Sequence, residues 1–156
     1  MSDNDVINDS DEGIEPTGIY STDSKDWFLQ SIIETVIAAG VEIGVTLTVG
    51  GTIISGILIN GKNYFVELGA LLEASSKSDG DMQSVLGSSW RKYTAIYEKP
   101  DDADENWQPS PAAYIHLKSA YFHAPGQSRM PTNAGLLWRG KLSSIDGFAI
   151  GNFSQD

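Results

Sequence analysis

Between Val41 and Val49 the odd positions are Val41, Ile43, Val45, Leu47 and Val49, and the even ones are Glu42, Gly44, Thr46 and Thr48. Strict alternation puts the apolar side chains on one face of a strand. Gly50-Gly51 suits the positive φ angles of a tight turn, and Thr52 to Ile59 returns as a second β-rich segment, so residues 41–59 predict a hairpin. Upstream, Trp27, Phe28, Ile32, Ile33, Val36 and Ile37 recur at helical spacing. Asp23 as cap, Asp26 in the first turn and Gly40 at the end frame a helix over residues 23–39, with its apolar face against the sheet.

Beyond Asn60-Gly61 the pattern has two readings. Tyr64-Phe65-Val66 can open a third strand, yet Tyr64, Phe65, Leu68, Leu71 and Leu72 are spaced for a helix, which is the preferred reading. A second helical stretch carries Met82, Val85, Leu86, Trp90, Tyr93, Ile96 and Tyr97 on one face, giving a helical insertion over 62–98. An acidic linker, 99–111, leads to an alternating segment, 112–123, in which Ile115, Leu117 and Tyr121 face one way and Tyr114, His116, Lys118 and Phe122 the other. Leu136 to Leu142 and Phe148 to Phe153 are two further strands. The predicted class is α+β: an antiparallel sheet of about five strands, either open or closed as a small barrel similar to the Sm-like and SH3-like ones, with an N-terminal helix and a two-helix insertion. Residues 23–156 form its single domain.

Charge divides the chain unevenly. Of the 21 acidic residues, eight lie in residues 1–26 against Lys25 alone, and five lie in residues 98–106 against Lys99 alone. These two stretches hold the whole net charge of −11, so the remaining body is close to neutral. Residues 1–22, rich in Asp, Asn and Ser, predict a disordered acidic tail that either keeps the protein soluble or regulates its contacts through salt-sensitive repulsion. Scattered Lys and Arg argue against nucleic acid, which rewards clustered bases. Ile43 to Gly61 is a 19-residue uncharged stretch, but its Thr, Ser and Gly content and its alternation fit a hairpin and not a membrane span. The acidic start lacks a basic and apolar leader, which makes a cytoplasmic location the expectation.

Candidate chemistry is sparse. The chain has no cysteine, no GxxxxGK[ST] loop and no GxGxxG fingerprint. His116 and His123 are seven apart on one predicted strand, an offset that places them on opposite faces unless a bulge intervenes, so no shared metal is expected. Ser143-Ser144 near Asp146 has no base beside it and looks like a turn. No catalytic residue and no cofactor is predicted.

Two blocks together carry a resemblance. The hairpin from Val45 to Gly56, and the later run Tyr114-Ile115-His116-Leu117-Lys118, Leu137-Trp138-Arg139-Gly140-Lys141-Leu142 and Ile145-Asp146-Gly147-Phe148, resemble the gas vesicle accessory protein U family. The blocks cover about half of the chain, which departs from that family in its longer acidic tail and in the linker around Trp107. The resemblance implies a non-enzymatic cytoplasmic protein that associates with itself, as an oligomer or condensate, and with gas vesicle shell proteins, gathering vesicles into clusters. It marks Trp138, Arg139, Gly140, Lys141, Asp146, Gly147 and Phe148 as signature positions. By their types alone, Trp138 suits the core, Gly140 a curved strand and Asp146-Gly147 a turn, while Arg139 and Lys141 share a face and can meet the acidic tail. Trp90, Tyr93, Trp107, Phe122 and Trp138 are the aromatic candidates for attraction between copies. The alternative is a small β-barrel interaction module unrelated to gas vesicles.

Overall fold

The computed structural model describes residues 24–153; the predicted tail, 1–22, lies outside them. Helix α1 (Trp27–Ile32) runs directly into a π-helical turn, Ile33–Ile37. Its cap is Asp26, whose carboxylate accepts from the N–H groups of Phe28 and Leu29, while Asp23 is outside the described residues. β1 (Ile43–Val49) and β2 (Thr52–Ile59) form the hairpin, with Gly50 and Gly51 both at positive φ. Asn60 then caps α2 (Gly61–Ala74), its side chain accepting from the Asn63 N–H, so the helical reading of this stretch holds. α3 (Met82–Arg91) crosses α2 where the buried Gly69 and Gly87 meet, and a 3-10 segment, Lys92–Tyr97, follows it. β3 (Tyr114–His123), β4 (Leu136–Lys141) and β5 (Gly147–Ile150) complete an antiparallel sheet of order β4-β3-β2-β1-β5.

The sheet is open. β4 and β5 are its two edges, and the barrel alternative is not the one adopted. One face packs on α1: Leu29 and Ile37 join Val45, Leu47, Ile54, Leu58, Ile115 and Leu117 in the main core, with Leu142 and Ile145 closing one end. The opposite face is partly covered by α2 and the 3-10 segment, where Tyr64 lies 4.8 Å from the His116 ring.

Two patterns depart from expectation. Trp27 and Phe28 do not join the core but remain about half exposed, at 52% and 51%. Leu29, with the wide π turn bringing Ile32, Ile33 and Ile37 under the helix, takes the core positions instead. In β3 the alternation breaks at Ser119, a non-glycine residue at φ +48°. Ile57 pairs with Lys118 but Ser55 pairs with Tyr121, so β3 holds one extra residue there. The bulge flips the facing: Phe122 packs on the core with Ile115 and Leu117, and Tyr121 turns to the other face. It also brings His116 and His123 to the same face, opposite Ile59 and Ile53, the case of an intervening bulge that the parity argument excepted. At about 3.3 Å per residue they remain roughly 20 Å apart, too far to share an ion.

Candidate interaction surface

The signature run spans the molecule from one sheet edge to the other, and its members divide by what they touch. On β4, Trp138 points to the core face opposite Leu117, and its indole lies over Gly140, where any Cβ would run into the ring. Gly140 is therefore a seat for the indole. Arg139 points the other way, with its guanidinium 3.5 Å from the Tyr114 ring centroid and its Nε–H donating to His116 Nε2 at 3.2 Å. Because Arg only donates, this bond assigns His116 as neutral with an unprotonated Nε2. Burial pushes the His116 pKa down to about 4, and the Arg139 charge adds to the shift. Burial also raises the Tyr64 and Tyr97 hydroxyls, with Arg139 opposing. Lys141 is exposed.

Asp146 accounts for the joining of the two resembling blocks. Its Oδ2 accepts from the Gly50 N–H at 2.6 Å, and its own N–H donates to the Thr48 carbonyl at 2.9 Å. A carboxylate from near the end of the chain thus pins the hairpin turn. Gly147 and Phe148 pair with Thr48 and Leu47 as β5 starts, and the Phe148 ring lies 6.0 Å from Phe28, which lies 5.7 Å from Trp27. Ile150, on the same face as Phe148, is 59% exposed. Trp27, Phe28, Phe148 and Ile150 form an apolar patch beside the β5 edge. The sequence signal for it was present in the aromatic pair, but helical spacing assigned that pair to the core.

The aromatic candidates fare differently. Trp138 and Phe122 pack on the core, Trp90 and Trp107 are half-buried, and Tyr93 is exposed. Below β4, Ala70 and Leu71 of α2 face Leu136 and Leu137 across a shallow groove of about 610 Å³, with Glu67 at its side. On the sheet's second face, Ser55 and His123 are buried side by side, Oγ to Nε2 2.7 Å, under the Phe153 ring. Burial, with Arg129 adding, lowers the His123 pKa. Among the described residues no helix is long and apolar enough to cross a membrane, and no three His, Cys, Asp or Glu side chains gather as a metal site.

Comparison with known proteins places this arrangement. No curated protein and no solved structure matches the chain. A family model described as "Gas vesicle protein GvpU-like" matches residues 26–153, which takes in every helix and strand of the fold, and the chain belongs to that family.

Proposed function

We propose that this protein is a non-enzymatic gas vesicle accessory factor of the cytoplasm that associates with itself and with vesicle shells, and so gathers vesicles into clusters. The family match across residues 26–153 carries this reading. The apolar patch of Trp27, Phe28, Phe148 and Ile150 supplies attraction, and the acidic stretches 1–26 and 98–106 supply repulsion that salt screens over about 8 Å at physiological ionic strength. Many weak contacts suffice when each vesicle presents many copies of its target. Of the signature positions, Arg139 and Lys141 are the exposed cations that can meet an acidic segment, Arg139 doing so while its guanidinium also contacts Tyr114 and His116.

Flotation tests the reading. Purified gas vesicles mixed with labelled protein are centrifuged gently at low and moderate salt, and the floating label and vesicle dispersion are measured. Label should rise with the vesicles, and clustering should increase with salt. Label that stays below at every salt concentration refutes the proposal.

A further inference from the structure

The two sheet edges differ in how they meet solvent. β4 carries Arg139 and Lys141, the kind of charge that discourages pairing with another strand. β5 reads Gly147-Phe148-Ala149-Ile150 and carries neither charge nor proline. Its pairing with β1 fixes which backbone groups remain. Gly151 N–H donates to the Gly44 carbonyl at 2.7 Å, in register with Val45 opposite Ile150. Hydrogen-bonded pairs alternate along an antiparallel ladder, so Ala149 and Gly147 also point toward β1. The N–H and C=O groups of Phe148 and Ile150 then point outward, and no described strand pairs with them.

That spacing is self-complementary. We propose that β5 is a homodimer edge: two copies pair antiparallel about a two-fold axis at Ala149, Phe148 of each opposite Ile150 of the other, joining two sheets into one of ten strands. Four backbone hydrogen bonds form, two for each Phe148–Ile150 pair. The same register sets Phe148 and Ile150 side chains of the two copies against each other on the face that carries Phe28 and Trp27, covering the patch. Among the described residues the path after β5 stays off this edge: Phe153 N–H donates to Thr46 Oγ1, so the chain through Phe153 turns inward over the second face.

Charge at this edge also supplies a control. The chain enters the described structure at Ser24, three residues before Trp27, preceded by seven carboxylates and no Lys or Arg in residues 1–23. Trp27 and Phe28 lie beside Phe148, so pairing two β5 edges adds the negative charge attached at Ser24 of each copy to one assembly, and the dimer tightens as salt screens that repulsion. This proposal rests on the self-association reading above and names its surface; its test uses no vesicles, so its failure and that of vesicle binding are separable.

Ala149 faces its own copy across a non-hydrogen-bonded pair, with Cα atoms about 4.5 Å apart, within disulfide range. The chain has no native cysteine, so Ala149→Cys in the full chain gives a single reporter. Under mild oxidation at low micromolar concentration, it should form a disulfide dimer at least about tenfold faster than Ser143→Cys, an exposed turn position outside the edge. The rate should rise with salt, and deletion of residues 1–23 should remove that dependence. Adding Ile150→Pro, which deletes only an outward N–H, should lower the rate at least about tenfold while cooperative unfolding is retained. Ile150→Lys is the second variant should the proline unfold the chain. An Ala149→Cys rate equal to that of Ser143→Cys at every salt, or a rate that both Ile150 variants leave unchanged, overturns the proposal.

Discussion

Acidifying the protein from about pH 7 to about pH 5 should destabilise it, chiefly through His116. The side chain is 4% exposed, and burial with the Arg139 charge holds its pKa at about 4 against an ordinary 6.5. A depressed histidine means that the unfolded chain binds the proton first, so stability falls as pH drops below about 6.5 and the loss is complete below about 4. With those two values the loss is about 2 kcal/mol at pH 5 and about 3 kcal/mol near pH 4. Protonation also replaces the acceptor of the Arg139 Nε–H with a second cation. His123, likewise lowered, acts in the same direction. Asp81 acts in a different window: its carboxylate, held at about 2 by the Ser84 N–H and neighbouring donors, contributes stability that is lost only as pH falls below 3.8. The assay is urea unfolding at both pH values for the native chain and for His116→Gln, whose amide oxygen keeps an acceptor for Arg139. The variant should lose about 2 kcal/mol less than the native chain between the two pH values. An equal loss in both proteins refutes the assignment of a neutral, buried His116.

Two other substitutions test the signature run as scaffold. Asp146→Ala removes the acceptor that pins the hairpin turn and should cost about 1 kcal/mol in urea unfolding; an unchanged midpoint refutes the pinning role. Gly140→Ala should cost about 1–3 kcal/mol because the Trp138 indole must leave its seat, and Trp138→Leu in the same chain should recover part of that loss. Strict additivity of the two substitutions places the cost elsewhere.

Local signals made much of the fold legible. Strict alternation with Gly50-Gly51 defined the hairpin, and the helical spacing of Tyr64, Phe65, Leu68, Leu71 and Leu72 favoured a helix in an ambiguous stretch, where the structure adds the Asn60 side chain as its cap. Two features were harder. The shift of core positions in β3, from Ile115 and Leu117 to Ala120 and Phe122, records the bulge at Ser119 in hindsight, but uninterrupted alternation was the simpler pattern. Trp27 and Phe28 sit on a helix whose π turn changes which side chains reach the core, and hydrophobic spacing cannot announce a change of pitch. The candidate surface was less legible than the fold for the same reason: apolar residues that pack and apolar residues that wait for a partner have the same sequence pattern.

The signature residues also separate two roles that sequence grouped together. Arg139 and Lys141 share a face of one strand, which suggested that both meet an acidic segment. In the structure Arg139 is held by Tyr114 on one side and His116 on the other, so it links the outer strand to the helical insertion through Tyr64 and Tyr97. Reversing its charge would disturb that cluster before it altered any contact between copies. Lys141 is exposed, has no such engagement among the described residues, and puts a charge on the β4 edge. A guarded edge at one end and an uncharged edge at the other favour a dimer with defined ends over an open-ended filament, because once the β5 edges are joined only charged edges remain. On the proposed function, larger assemblies would depend on vesicle shells or on the weaker contacts of exposed side chains such as Tyr93 and Leu71, and salt would act on them through the acidic stretches rather than through the sheet.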